Sequence, residues 1–375
     1  MSQVLKKRKT ILLFGLSITC VLMNIYVYTF KSKTKVGNII GNIFDFKQTI
    51  LPYYKYNGKI TSATIINIII GLNVTLREPY TTLSTSELGN ASRVDAKCTT
   101  NQYNFVYKIV PKVDCSNSEL VICVDGSRNN NYTRQAIRKT WGSYANVSSN
   151  KAALIFFLGS EHPSTNGSQS VQHYIDKEAE LYGDILQEDY IDDYKNLTFK
   201  TLSILKWVTS RCPGSEFVLK ADDDMYVNVH LLVQNLNNIS QTKGKDYPFV
   251  FGFVINNIIP HRNPSSKWYT SEFEYKENTY PRFTSGTAYA MTTSAAKRLY
   301  KASFQVPFFW LEDVYITGLC ARKANVEVIH SNLFSNEKRY PSGCTFQSTI
   351  SGHWYTDTEM ERIYTELLSP TSRCL

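Results

Sequence analysis

Residues 217–229 read FVLKADDDMYVNV, an apolar run broken by three consecutive aspartates. Phe217, Val218 and Leu219 suit a short buried strand, which places Asp222, Asp223 and Asp224 just past its C-terminal end. In open α/β sheets that edge is where ligands bind. Adjacent carboxylates repel and raise each other's pKa unless a cation sits among them. Mg²⁺ and Mn²⁺ take oxygen ligands and bridge to substrate phosphates. The segment therefore reads as a metal–diphosphate site, with a solvated acidic loop as the alternative. An EF-hand is excluded, because position six from Asp222 is Val227 rather than Gly and position twelve is Val233 rather than Glu.

A second constraint is the run ILLFGLSITCVLMNIYVYTF at residues 11–30, which carries no charge and a single Asn24. Its length just spans a bilayer core of about 30 Å. Lys6, Lys7, Arg8 and Lys9 precede it, which directs a tail of residues 1–10 to the cytoplasm. Lys31, Lys33 and Lys35 follow and weaken that asymmetry. The sequence YVYTFKSKTK offers no small-residue cleavage site, so an uncleaved signal anchor is expected over 11–30 rather than a removed signal peptide. Seven N-x-S/T sequons, at Asn73, Asn90, Asn131, Asn146, Asn166, Asn196 and Asn238, all follow it, as a lumenal body requires.

The formal charge of +9 does not indicate a nucleic-acid partner, because seven of those charges flank the anchor where no acid occurs. Of eight cysteines, Cys20 lies in the apolar run and Cys123 within LVICVDG, so both are expected reduced. Cys98, Cys115, Cys212, Cys320, Cys344 and Cys374 remain for disulfides whose connectivity the sequence leaves open. Residues 31–97 lack clear periodicity and read as a stem, including the short apolar stretch 60–72. Residues 98–375 are long enough for one large α/β domain. Strands are expected at 120–124, 153–158, 216–220, 249–253, 288–291 and 326–330, and helices at 133–141, 170–181, 197–210, 294–300, 313–323 and 357–368. This alternation predicts a mainly parallel sheet covered on both faces. Thr356 and Glu359 predict a capping box for the last helix, and Met360, Ile363, Tyr364 and Leu367 form its apolar face.

Several further residues suit chemistry. In TRQAIRKTWG, Arg134 and Arg138 are four apart and share a helix face, with Gly142 as a helix stop. Two such guanidiniums are useful where both meet an anion, or are otherwise solvated surface arginines. The segment EDYIDDYKNLTFK, residues 188–200, brings acids and aromatics that suit a nucleoside pocket or an acidic loop. In FFWLEDVYITG, Glu312 and Asp313 open a helix whose N-terminus favours an ionised carboxylate by about 0.3–1 kcal/mol. Such a pair suits a general base, or a plain helix start. Phe308, Phe309 and Trp310 read first as core, although sugars stack on such rings. His353, just before the last helix, suits a metal ligand or a structural role.

Together, RQAIRKTWG, DYIDDYKNLTFK, KADDDMYVN, YPRFTSGTAYAMT, EDVYITG and the pattern of His353, Glu359 and Met360 resemble, in order over residues 118–375, the β-1,3-galactosyltransferase / β-1,3-N-acetylglucosaminyltransferase family of Golgi type II membrane enzymes. That resemblance implies a GT-A type nucleotide-sugar-binding domain with a mainly parallel mixed sheet, and metal-dependent, inverting transfer from a UDP-sugar. It implies Asp224, Asp222 and His353 as the metal residues for Mn²⁺ (or Mg²⁺), with Asp224 and His353 the direct ligands, and Asp222, near the ribose, and Asp223 as donor-binding. Arg134, Arg138, Asp192 and Lys200 would line the UDP site, and Asp313 with Glu312 would supply the base. Thr284 stands where many relatives have Cys, which puts one family disulfide in doubt, while Met225 and Tyr226 replace the commoner Val and Phe. The expected activity is β-1,3 transfer of a hexose, galactose first, to a glycan hydroxyl on a glycolipid or glycoprotein. GlcNAc or GalNAc transfer, a nucleotide-sugar hydrolase and a catalytically inactive lumenal sugar-binding protein are the alternatives. The expected location is the Golgi membrane, with a homodimer allowed.

Overall fold

The computed structural model describes residues 103–162 and 168–369. The anchor, the stem and the sequons at Asn73, Asn90 and Asn166 lie outside the described residues, as do Cys20, Cys98 and Cys374. Among the described residues no helix is long and apolar enough to cross a membrane.

The strands are β1 (Tyr107–Ile109), β2 (Leu120–Asp125), β3 (Ala152–Ser160), β4 (Ile185–Ile191), β5 (Phe217–Asp222), β6 (Tyr226–Val227), β7 (Phe249–Ile255), β8 (Phe283–Thr292), β9 (Glu327–His330) and β10 (Ser351–Gly352). Eight of them form one sheet in the order β1-β4-β3-β2-β5-β8-β7-β9, and β10 pairs with β6. The run β4-β3-β2-β5 is parallel throughout. β1 joins its edge antiparallel, β8 runs antiparallel to both β5 and β7, and β9 is parallel to β7. The sheet is thus mixed, with its parallel strands gathered in one half.

Strand β2, LVICVD, is buried along its whole length, as a strand covered on both faces must be. Its residues divide by strand periodicity. Val121 and Cys123 join a core layer with Leu202, Leu205 and Trp207 of the helix Leu197–Arg211. Leu120, Ile122 and Val124 join the opposite layer with Ile137, Ile175, Leu232 and Met360. The helices are α1 (Asn131–Lys139), α2 (Ser168–Tyr182), α3 (Leu197–Arg211), α4 (Val229–Lys243), α5 (Thr293–Ser303), α6 (Ala321–Ala324), α7 (Gly343–Gln347) and α8 (Asp357–Leu368). All four parallel strands therefore end at one edge, where Asp125 of β2 stands opposite Asp222 of β5.

Several expectations are met and several are revised. Thr356 and Glu359 form the reciprocal capping box of α8, with Met360 and Ile363 buried. Helix α1 ends at Lys139 rather than at Gly142, because Thr140 leaves helical geometry and residues Trp141–Asn146 turn as a 3₁₀ helix. Gly142 serves close approach instead: a Cβ there would lie 2.7 Å from the Ile137 carbonyl oxygen. The helix expected over 313–323 is a π-helix from Val314 to Cys320 that continues as α6. Strand β4 escaped detection because its sequence, ILQEDYI, contains acids and a glutamine that tertiary partners satisfy. Helix α4 also escaped, although Asn228 caps it through a bond from Leu231 N of 3.1 Å.

Cys115 and Cys212 form a disulfide. Cys344 is disulfide-bonded as well. Cys123 is free and buried, as expected, while Cys320, expected among the bridging cysteines, is also a free buried thiol. The Cys115–Cys212 bridge closes a separation of 97 residues. In the chain-entropy account a loop of that size stabilises by roughly 4–5 kcal/mol. The Cys115→Ser/Cys212→Ser variant is accordingly expected to lose several kcal/mol in urea denaturation; an unchanged midpoint would show that the bridge does not constrain the unfolded chain.

Candidate active site

The three aspartates after β5 diverge, and each has its own partner. Asp223 turns toward the loop after β2, where its Oδ2 accepts from Ser127 N at 3.0 Å and Asn130 Nδ2 at 2.9 Å. Asp222 is held by Lys220. Asp224 Oδ1 lies 3.1 Å from His353 Nε2. His353 reaches it because β10 pairs with β6, and because Tyr355 N donates to the Asp224 carbonyl at 2.9 Å. The other ring nitrogen, Nδ1, lies 3.3 Å from the Asn336 carbonyl, which as its hydrogen-bond acceptor leaves Nε2 to act as a ligand atom. Burial opposes charge on this imidazole, but Asp224 and then Asp222 hold its pKa above the ordinary value.

One ligand atom from each of Asp222, Asp224 and His353 lies within 4.8 Å of the others. Two carboxylate oxygens and one imidazole nitrogen suit Mn²⁺ better than Mg²⁺, which favours an all-oxygen shell. An ion held by these three residues would keep positions open for further oxygen ligands.

Behind these groups runs a row of alternating charge. Lys200 Nζ lies 2.8 Å from Asp192 Oδ1, 2.9 Å from Asp125 Oδ1 and 2.8 Å from the Gly126 carbonyl. Lys220 Nζ lies 3.6 Å from Asp125 Oδ2, bonds Asp222 and donates to the Gly286 carbonyl at 2.7 Å. Burial opposes both ammonium charges, yet the flanking carboxylates raise both pKa values. Asp222 shows the converse: burial and its acidic neighbours lift it to about 7 against the pull of Lys220. Asp192 and Lys200 are among the residues expected from the sequence, whereas Lys220 is not, although a lysine inside an apolar strand is itself a signal.

A cleft of about 570 Å³ opens where β2, β3 and β4 end, lined among others by Ser127, Arg128, Glu161, Asp192, Asp193 and Asn196. Asp192 lies on its wall, whereas Lys200 is buried behind it. The expectation that Arg134 and Arg138 face this cleft is corrected. Arg134 donates to Glu178 at 2.9 and 2.6 Å and to the Ser127 carbonyl at 2.8 Å. Arg138 donates to Asp184 at 2.7 and 2.8 Å and to Glu178 at 2.7 Å. The two guanidiniums are neutralised inside the fold, and Arg134 braces the cleft loop from behind through the Ser127 carbonyl. Glu178 and Asp184 lie on and just beyond α2, too far along the chain for helix spacing to reveal them.

The acid pair stands on the opposite side of Lys220. Glu312 is buried, and its Oε1 accepts from Tyr289 OH at 2.6 Å and Thr201 Oγ1 at 2.8 Å. Burial raises its pKa to about 7, against the attraction of Lys220. Asp313 caps the π-helix, accepting from Val314 N at 2.8 Å, yet burial lifts it to about 6. The helix terminus expected to favour its charge is thus outweighed. Gly286 packs against both: a Cβ there would lie 3.1 Å from Glu312 Oε2 and 3.3 Å from Asp313 Cβ. Of the sequons in the described region, Asn146 and Asn238 are exposed. The Asn131 and Asn196 amides instead donate to Glu178 at 3.0 Å and to the Ile191 carbonyl at 2.9 Å.

The Glu312 pKa near 7 carries a stability prediction. A carboxyl raised above its free value of about 4.3 is favoured in the fold when protonated, so its cost is absent at low pH, grows as pH rises and is complete above the folded value. Glu312→Gln keeps an acceptor and cannot ionise. Thermal denaturation is expected to find it stabilised at pH 8, by up to roughly 4 kcal/mol, and not at pH 4; equal effects at both would contradict the assignment.

The family model described as Galactosyltransferase matches residues 132–332. Beta-1,3-galactosyltransferase 5 of Pan paniscus is 35% identical over 266 residues, covering 68% of this chain and 84% of that protein. Beta-1,3-galactosyltransferase 1 of Mus musculus is 34% identical over 271 residues, covering 72% and 80%. Among solved structures, a glycosyltransferase involved in the glycosylation of the major capsid of PBCV-1 aligns over 67% of this chain and 100% of its own, with 13% identity and a TM-score of 0.34. On the strength of the family match and of relatives alike over most of their length, the chain belongs to the galactosyltransferase family and is a glycosyltransferase.

Proposed function

We propose that this enzyme transfers galactose from UDP-galactose to a glycan hydroxyl, with inversion, to form a β-1,3 linkage, on a GT-A fold. The observation that carries the reading is the convergence of Asp222, Asp224 and His353 on one point, with Lys220 linking Asp222 to the carbonyl of Gly286 beside the acid pair. The names of the relatives favour galactose over GlcNAc or GalNAc.

In this reading the nucleotide occupies the cleft at the ends of β2, β3 and β4, the usual ligand edge of a parallel sheet. Asp192 and the Ser127 loop line its wall, Arg134 and Lys200 hold that wall rigid, and Arg138 shares Glu178 with Arg134. Mn²⁺ held by Asp222, Asp224 and His353 would offset the charge that develops on the leaving UDP. Asp313, less enclosed than Glu312, accepts the proton of the acceptor hydroxyl. Attack on the face of the sugar opposite UDP then converts an α-linked donor into a β-linked product. Glu312, fixed by Tyr289 and Thr201, positions the segment that carries Asp313. The apolar run 11–30, the sequons and the Cys115–Cys212 bridge support a Golgi membrane protein with a lumenal body.

The test is UDP release by the full chain in detergent with Mn²⁺, with UDP-Gal, UDP-GlcNAc or UDP-GalNAc and a panel of glycan acceptors. Acceptor-dependent release from UDP-Gal, abolished by EDTA and by Asp224→Ala, is the expected result. Asp313→Asn is expected to lower turnover by about 10²–10⁴-fold. Because the base must be unprotonated, activity is expected to rise with pH through about 6. Release without any acceptor, or release indifferent to EDTA, would defeat the reading, and preference for another donor would revise only the sugar.

A further inference from the structure

Three segments distant in sequence bring aromatic side chains together on the surface. Tyr194 belongs to the turn Tyr194–Asn196, Trp268 to the loop over 256–282, and Trp310 to the segment that leads into Glu312. Trp268 Nε1 donates to Tyr194 OH at 3.2 Å. The Tyr194 and Trp310 ring centroids are 6.4 Å apart and nearly edge-on. His261 packs beside Trp268 at 5.6 Å. Even so, Trp268 remains 48% and Tyr194 43% exposed.

A group of rings that served only the core would bury its faces. Here two large rings are held in fixed orientation by a hydrogen bond between their polar edges while much of their surface meets water. Ordering exposed side chains costs conformational entropy without the return of burial. Rigid amphipathic rings of this kind are what recognition surfaces use.

The position of the patch says what it would recognise. Tyr194 adjoins Asp193, and its turn ends at Asn196; both neighbours line the cleft. Trp310 lies two residues before Glu312, and its carbonyl is held at 3.1 Å by Thr198 Oγ1 at the start of α3. The rings therefore connect the cleft wall to Glu312 and Asp313. Lys267 Nζ lies over one face of the Tyr194 ring, 4.0 Å from its centroid, and Lys195 Nζ over the Trp310 ring at 5.8 Å, which places ammonium donors beside the remaining ring surface. A pyranose matches this combination, with one C–H face for the rings and a rim of hydroxyls for the ammonium groups.

We propose that Tyr194, Trp268 and Trp310 form the acceptor-sugar subsite, stacking the C–H face of a pyranose so that its reacting hydroxyl lies beside the acid pair. This rests on the reading that the neighbouring cleft takes the donor and that Asp313 is the base. No role in chemistry is assigned to the rings; they bind and orient.

The test is saturation-transfer NMR of the full chain in detergent with the methyl glycosides of galactose, GlcNAc and GalNAc, with and without UDP. At least one glycoside should show its strongest transfer at ring C–H protons. Its dissociation constant should rise about tenfold in Trp268→Ala and in Trp310→Ala, the effect of losing about 1.4 kcal/mol of ring contact. Trp268→Phe should retain most of the binding, and Tyr174→Ala, an exposed ring on α2, should leave it unchanged. Trp268→Gln removes the ring with a polar surface residue, so its result stands if the alanine variant folds poorly. Absence of transfer to every glycoside, or binding unaltered in the tryptophan variants, overturns the proposal. UDP signals from the same samples test the donor reading separately: loss of UDP binding with sugar binding intact would remove that reading and leave the subsite.

Discussion

Lys220 lies buried between Asp125 and Asp222, and Lys200 lies buried between Asp125 and Asp192. An isolated ion at this depth would be strongly unfavourable, and removing one partner of such a group typically costs about 3–5 kcal/mol. The row persists because each ammonium meets carboxylates on both sides and a backbone carbonyl, from Gly126 or Gly286. It fixes the ends of β2 and β5, the wall of the cleft at Asp192 and the orientation of Asp222 at once. Through Gly286 it also reaches the acid pair, so the two sides of the site are set by one electrostatic unit.

The buried arginines supply a second, mostly independent brace. Arg134 and Arg138 sit against Glu178 and Asp184, and Arg134 also holds the Ser127 carbonyl. Ser127 in turn donates its backbone N–H to Asp223. A guanidinium deep in the fold thus restrains an aspartate of the acidic triplet through a single loop. Arginine suits this place because its planar fork satisfies two acceptors without giving up its charge.

The acid pair illustrates how burial outweighs local position. Both carboxyls open a helical segment, where the backbone favours negative charge, yet both titrate above their usual range. Glu312 is further enclosed by Tyr289 and Thr201. The more accessible Asp313 retains a value near 6, where a carboxylate still accepts a proton at neutral pH and is a stronger base than in water.

The sequence alone determined the alternation of buried strands and helices, the acidic edge after β5, the capping box of α8 and the ordered motifs of the family. Each of these is local: strand and helix periodicity, a cap three residues from its partner, or a contiguous string of residues. Tertiary structure decided the rest. The approach of His353 to Asp224 needs the pairing of β10 with β6, across more than a hundred residues of chain. The inward turn of Arg134 and Arg138 depends on acids that no helix spacing announces. The mixed half of the sheet, the π-helix behind Asp313 and the meeting of Tyr194 with Trp268 and Trp310 are likewise settled by packing between distant segments. Local pattern specifies which elements form and which edge collects charge, whereas the partner that satisfies each charge depends on long-range contacts that the order of residues does not display.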